Sequence, residues 1–150
     1  MTHFADHVAL EQALTEFCRH IREDFPGTIN EGLAPRLIAC DLDPLRCTIA
    51  FDGKPWMSNP LGAVHGGVVS AMLDTAMGGI TYVCAEDYPT PTISLQVSYI
   101  RPVPATTTLY VDVQTNGMGQ TMGNLTARLY SPDRPDRVLA TASGVYYVKI

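Results

Sequence analysis

Residues 59–84, NPLGAVHGGVVSAMLDTAMGGITYVC, decide the fold of this 150-residue chain. After an Asn-Pro turn signal and a His-Gly-Gly sequence at 65–67, the stretch becomes almost wholly apolar and carries one charge, Asp74. Apolar residues recur on every side at helical spacing, which predicts a buried helix over 68–84. Asp74 falls on a strip of small residues, where a ligand or a second backbone can approach closely.

The segments on either side of this helix predict an α+β fold. In order, they are an amphipathic helix over 5–25, a loop over 28–35, and strands over 36–42, 45–51, 92–100, 107–115, 121–130 and 138–148. Asn116, Gly117 and Gly119 indicate a hairpin. Because an antiparallel sheet must cover its apolar face, we expect a curved sheet wrapped around the central helix. The prediction is one domain over 1–150, with an N-terminal helix and loop (1–35) before the core (36–150).

The composition is that of a soluble globular protein, with 46% hydrophobic and 17% charged residues. A net charge of −5 argues against a nucleic-acid partner, which requires a basic surface. The apolar run 68–84 is short for a membrane span of ~20 residues. Asp74 at its centre would cost about 2.5–3.5 kcal/mol in a bilayer. We therefore expect no membrane partner.

The four cysteines show no C-x-x-C pair and no spacing that matches the histidines. We therefore expect no metal and no disulfide framework. The sequence also has no P-loop and no G-x-G-x-x-G pattern, and we expect no cofactor of the protein's own. The N-terminus lacks both the basic segment and the long apolar segment of a signal peptide. These features together predict a cytoplasmic protein.

The His-Gly-Gly sequence at the helix start suggests a binding site for a carbonyl oxygen. The first N–H groups of a helix are unpaired and carry the positive end of the helix dipole. Glycines leave these groups open to a ligand, which suggests an oxyanion hole for acyl transfer with the Gly67 N–H as the best donor. The alternative is that the glycines only let the helix start pack tightly against a strand.

Asp74 constrains how such a site could be built. Nine residues separate it from His65, which on a helix is about 900° of rotation and about 13.5 Å of rise. The two side chains therefore point to opposite sides and cannot be partners within one subunit. If both act, the site is shared between subunits and the protein is a homodimer. Otherwise, Asp74 is a buried acid paired with an arginine or a hydroxyl.

The pattern Asn59-x5-His65-Gly66-Gly67-x6-Asp74 resembles the active-site motif of hotdog-fold acyl-CoA thioesterases. It is most similar to the phenylacetate-pathway and 4-hydroxybenzoyl-CoA thioesterase-like group. The likeness covers roughly 36–148 and includes three further segments, 94–102, 117–123 and 139–148.

The resemblance implies a hotdog dimer, often paired into a tetramer, that hydrolyses an acyl-CoA thioester, with coenzyme A entering only as part of the substrate. Asp74 matches the family carboxylate that acts as general base or nucleophile. Gly67 matches the oxyanion-hole residue, and Asn59 the amide that orients the attacking water. His65 matches the residue that shapes the helix entrance. Thr92 falls where relatives place a hydroxyl near the carboxylate and water.

Two other functions are alternatives to thioester hydrolysis. A hotdog enoyl-CoA hydratase or dehydratase needs an Asp two residues before Asn-Pro and a His two after it, where this chain has Met57 and Gly62. A non-catalytic hotdog module that binds acyl ligands is the second, and the joint presence of Asn59, Gly67 and Asp74 argues against it. Several basic residues are candidates for the coenzyme A phosphates without one being preferred: Arg101, Arg128, Arg134, Arg137 and Lys149.

Overall fold

The computed structural model describes residues 3–86 and 88–150. Its helices are α1 (His7–Glu23), α2 (Ile29–Leu33) and α3 (Gly66–Cys84), with a 3-10 turn at Pro55–Met57. Its strands are β1 (Arg36–Leu42), β2 (Leu45–Asp52), β3 (Thr92–Tyr99), β4 (Thr108–Met118), β5 (Met122–Tyr130) and β6 (Ala140–Tyr147). The strands form one antiparallel sheet in the order β1-β2-β4-β5-β6-β3. The predicted α+β arrangement is confirmed.

Helix α3 lies in the core because it is apolar on nearly every side. Leu73, Met77 and Ile80 are fully buried and belong to one cluster with the inward side chains of the sheet. Among the described residues, α3 is the helix that is long and apolar enough to cross a membrane by length and composition, but much of it is enclosed within the fold. The sheet and α1 cover it, as expected of a core helix.

The segment predicted as a loop over 28–35 contains a short helix, α2. The Thr28 hydroxyl accepts a hydrogen bond from the Glu31 N–H, and the Glu31 carboxylate accepts one from the Gly27 N–H at 2.6 Å. Thr28 and Glu31 have the spacing of a capping box, a signal that the sequence carried. The helix ends at Leu33, and the C-cap residue Ala34 adopts a left-handed conformation with φ of 49°.

The predicted hairpin between β4 and β5 forms, but its turn lies later than Asn116-Gly117. Strand β4 continues to Met118, and the pairing register shifts between Thr115 and Gly117, so Asn116 occupies a bulge. The Gly119 N–H donates to the carbonyl of Met122 and closes the turn. The Asn-Gly pair therefore bends the strand rather than reversing it.

Candidate active site

Asp74 lies where α3, β3 and β6 meet. Its Oδ1 accepts hydrogen bonds from the Thr92 hydroxyl and from the Tyr146 hydroxyl, each at 2.8 Å. Asp74 is half-buried, and none of the described residues donates to its Oδ2. The carboxylate is therefore fixed through one oxygen while the other is available to a water molecule or a substrate. Of the two alternatives for a structural acid, a hydroxyl partner rather than an arginine is present.

Tyr146, which the sequence reasoning did not single out, is the more deeply buried of the two donors. It is 1% exposed, and its ring lies in a gap between Gly78 of α3 and Gly144 of β6. A Cβ at Gly144 would be 2.7 Å from the ring, so any other residue at this position would displace the ring. Burial, and then the neighbouring Asp74 carboxylate, raises the pKa of Tyr146. The hydroxyl therefore keeps its proton and remains a donor.

A bulge at Ile93 turns Thr92 toward the carboxylate. Leu95 pairs with Gly144 and Thr92 with Tyr146, and the register shifts between Thr92 and Ser94. Simple alternation along β3 places Thr92 on the face opposite Leu95, away from the helix. The extra residue reverses this and sets Thr92 beside Tyr146 on the helix side. The two hydroxyls that hold Asp74 are thus cross-strand neighbours.

At the start of α3, His65 is the N-cap residue. Its Nδ1 accepts a hydrogen bond from the Gly67 N–H at 2.9 Å, and its carbonyl accepts from the N–H groups of Val68 and Val69. The Gly66 N–H has no acceptor among the residues that the structure describes. The donor predicted for an oxyanion, Gly67, is therefore engaged by His65, while the preceding N–H is free.

Tyr99, at the far end of β3, covers this helix start. Its hydroxyl donates to the Gly66 carbonyl at 2.9 Å and lies 2.6 Å from the Ser70 hydroxyl. A Cβ at Gly66 would be only 3.4 Å from its ring. Strand β3 therefore forms hydrogen bonds with α3 at both of its ends, through Thr92 at Asp74 and through Tyr99 at Gly66. The sequence reasoning missed this contact because Tyr99 reads there as an ordinary strand residue.

Asn59 closes the loop that leads into α3. Its Oδ1 accepts from the N–H groups of Leu61 and Ala63, at 2.9 and 3.2 Å, and its own N–H donates to the Ala63 carbonyl at 2.7 Å. Among the described residues, no acceptor contacts its side-chain NH2 group. Asn59 can therefore act toward a water molecule only as a donor.

The predicted site residues form two groups within one chain. Asp74 and Thr92 lie together, and His65 and Gly67 lie together near the Asn59 loop. Along α3, the rise from residue 66 to residue 74 is about 12 Å. Within one chain, the two groups are therefore separate.

The cysteine thiols are poorly suited to act as nucleophiles. All four cysteines are buried and unpaired by disulfides. Burial raises the pKa of Cys84 to about 12 and that of Cys18 to about 11, so these thiols remain protonated. Across 3–86 and 88–150, no group of three or more metal-binding side chains is arranged to hold an ion.

A curved antiparallel sheet around a central helix, as seen here, is the arrangement of hotdog thioesterases. A family model described as the thioesterase superfamily matches residues 61–138, more than half of the chain. The protein belongs to the thioesterase superfamily. The family and the fold predicted from the motif are both confirmed.

Solved structures agree with this assignment. A phenylacetic acid degradation-related protein from Ralstonia eutropha JMP134 is 25% identical, with a TM-score of 0.75 over 88% of this chain and 98% of that chain. Zebrafish thioesterase superfamily member 2 is 14% identical, with a TM-score of 0.78 over 91% and 96%. A Pseudomonas aeruginosa thioesterase, solved as a mutant, is 18% identical, with a TM-score of 0.77 over 90% and 93%. The last two likenesses concern the fold alone.

Proposed function

We propose that this protein hydrolyses acyl-CoA thioesters at a site shared between two subunits. Membership of the thioesterase superfamily supports thioester hydrolysis in general. The observation that carries the proposal for this chain is the Asp74 carboxylate, which two hydroxyls hold through Oδ1 while no described residue donates to Oδ2. A carboxylate fixed in this way is suited to act on a water molecule or on a carbonyl carbon.

Two mechanisms use this carboxylate. In one, Asp74 Oδ2 takes a proton from water as the water oxygen attacks the thioester carbonyl carbon. In the other, Oδ2 attacks that carbon and the resulting anhydride is hydrolysed. In both, the C–S bond breaks, and the products are the free acid and the coenzyme A thiol. A thiolate leaves readily, so no general acid is needed beside Asp74.

For the oxyanion, we propose the Gly66 N–H as the donor in place of Gly67. The Gly67 N–H already donates to His65 Nδ1, so it would have to give up that bond to reach a substrate. The Gly66 N–H has no acceptor within the described part of the chain and lies at the positive end of the α3 dipole. His65 would then shape the helix entrance by capping Gly67. Asn59 would orient the attacking water through its NH2 group.

The shared site follows from how β3 lies along α3. Strand β3 is at the edge of the sheet, and its exposed apolar side chains include Ile93 (55%) and Tyr99 (56%). Open edge strands pair readily with another chain. Two-fold antiparallel pairing of β3 with its copy would bring the Thr92 end of one subunit beside the Tyr99 end of the other. Asp74 would then face the Gly66 helix start of the partner subunit.

We therefore propose a homodimer, or a pair of such dimers, located in the cytoplasm. The buried free thiols fit a reducing compartment. Sedimentation of the purified protein tests the oligomeric state. A monomer at working concentration would contradict the shared site.

The test of the activity is thiol release from aromatic, short-chain and medium-chain acyl-CoAs by the wild type and by Asp74→Asn. We expect the variant to lose about 10²-fold or more in kcat while staying folded. Asp41→Asn is the control, because Asp41 only pairs with the exposed Arg46. Equal turnover by wild type and Asp74→Asn would contradict the mechanism. Acyl-CoA binding without turnover would identify the non-catalytic module instead.

A further inference from the structure

The arginines of this acidic chain are unevenly paired. Five form ion pairs with carboxylates: Arg19, Arg22, Arg36, Arg46 and Arg128. The other three, Arg101, Arg134 and Arg137, have no carboxylate partner within the part of the chain that the structure describes. In a protein of net charge −5, most arginines find an acid nearby. Those that do not are the groups available to an external anion.

Two of these arginines line one cavity. The arginine cavity has a volume of about 430 Å³ and is walled by residues 61–63, 102–104 and the loop before β6, which contributes Arg134 and Arg137. Hydrogen-bonded turns order that loop, since the Arg134 N–H donates to the Ser131 carbonyl and the Arg137 N–H to the Arg134 carbonyl. Arg101 is held nearby through a hydrogen bond to the Val138 carbonyl. The acidic Asp133 also lines the cavity, so the two lining arginines leave it with a net positive charge.

The arginine cavity is continuous with the loop that enters the candidate site. Its wall at 61–63 is the loop that Asn59 closes. Ala63 forms a β-bridge with Pro104, and the Val64 N–H donates to the Val103 carbonyl, so the wall is fixed to the sheet. Three residues after Ala63 comes Gly66, at most about 10 Å further along an extended chain. A ligand with a reactive group at the helix start could therefore reach the cavity with a flexible arm.

We propose that the arginine cavity binds the phosphate groups at the nucleotide end of coenzyme A, through Arg134 and Arg137. This inference rests on the proposed function. The planar guanidinium group matches phosphate oxygens in pairs of parallel hydrogen bonds. The volume lies in the range of small-molecule pockets, which suits one nucleotide rather than the broad surface of a carrier protein. The pantetheine arm would run along the 61–63 loop to the thioester.

The first test measures binding without catalysis. Adenosine 3′,5′-bisphosphate, the phosphate-bearing end of coenzyme A, is titrated by calorimetry into the wild type and into Arg134→Gln/Arg137→Gln. Each charge-assisted contact is worth about tenfold, so we expect roughly 100-fold weaker binding by the variant. Arg19→Gln/Arg46→Gln has the same net charge but leaves the cavity intact, and it should bind within about twofold of the wild type. Equal weakening in both variants, or none in either, would overturn the proposal.

The second test separates the cavity from the catalytic groups. The double variant at 134 and 137 should raise KM for an acyl-CoA by about tenfold or more, with kcat unchanged. For the matching acyl-pantetheine thioester, which lacks the nucleotide, KM should not change. A KM that rises equally for both substrates would contradict phosphate binding here.

The two tests also distinguish this inference from the proposed function. If the protein binds the bisphosphate through these arginines but hydrolyses no thioester, the anion site is supported and the proposed function is contradicted. If the protein hydrolyses acyl-CoA and the double variant leaves KM unchanged, the proposed function is supported and the arginine cavity is excluded as the nucleotide site. An acyl carrier protein substrate preferred over acyl-CoA, with the same arginine dependence, would overturn the choice of nucleotide.

Discussion

Replacing Tyr146 by phenylalanine removes one of the two hydroxyls that hold the candidate catalytic carboxylate. The variant keeps the aromatic ring between Gly78 and Gly144, so its packing and folding should be nearly those of the wild type. Asp74 keeps the Thr92 donor but gains freedom to rotate about its side-chain bonds. Because the Tyr146 hydroxyl contacts the carboxylate and not the open face of the site, we expect kcat to fall and KM to stay unchanged.

The size of the effect follows from the geometry. A hydrogen bond to a charged group contributes about 1.5–3 kcal/mol. The carboxylate is half-buried, so water can partly replace the lost donor, and the lower end of that range applies. A loss of about 1.5 kcal/mol in the transition state lowers kcat roughly tenfold. Removing Thr92 as well, as Thr92→Val, should cost more than the sum of the single losses, because the two donors share one oxygen.

The assay is steady-state thiol release with the best acyl-CoA, together with thermal unfolding of each variant. Tyr147→Phe is the matched control, because this neighbouring hydroxyl has no hydrogen-bond partner among the described residues and is on the exposed face. Thr92→Ser tests rescue, since serine restores a hydroxyl at the same place. Wild-type kcat in Tyr146→Phe would refute the positioning role of Tyr146. A fall in kcat that Tyr147→Phe shares would refute it equally.

Two further changes test the packing and the electrostatics. Gly144→Ala places a methyl group 2.7 Å from the Tyr146 ring, so we expect the free energy of unfolding, measured in urea, to fall by about 1–3 kcal/mol and kcat to fall as well. The control is Gly117→Ala, which has open space around it and should change neither quantity. Arg36 and the Thr108 hydroxyl hold the pKa of the Asp52 carboxyl below its usual range, so this pair stabilises the fold above about pH 4 and loses its effect as the pH falls. Arg36→Gln should therefore be less stable by about 0.5–1 kcal/mol at pH 7, with a difference that narrows below about pH 4; a constant difference would contradict this origin.

The sequence was sufficient for the features that arise from local composition. The central helix was predictable because a long apolar run with one charge has few other solutions. Period-two alternation located β3 and β4, although β4 continues three residues beyond its predicted end. The separation of His65 from Asp74 along the helix also followed from helix geometry alone. The α2 helix was predictable in principle from the Thr28 and Glu31 capping signal.

The remaining features depend on contacts between distant parts of the chain. Tyr146 reaches Asp74 from 72 residues away, and its ring requires glycine at position 144. The bulge at Ile93 arises from the pairing of β3 with β6, and without it Thr92 would face away from the helix. The alternation of apolar and polar residues along β3 does not reveal this register shift. Thr92, which the resemblance placed near the carboxylate, does lie beside Asp74. The physical reason for its position is the pairing of β3 with β6.

Strand β3 gives a single physical reason for dividing the candidate site between subunits. At one end its Thr92 fixes the carboxylate, and at the other end its Tyr99 covers the helix start. An antiparallel two-fold pair of such strands aligns each end with the opposite end of its copy. In the proposed dimer, the separation of His65 and Asp74 along one chain would set the distance between two equivalent sites, each formed by both subunits. Oligomer assembly and catalysis would therefore depend on the same edge strand, so a variant that blocks pairing at this edge should lose activity in proportion to the dimer it fails to form.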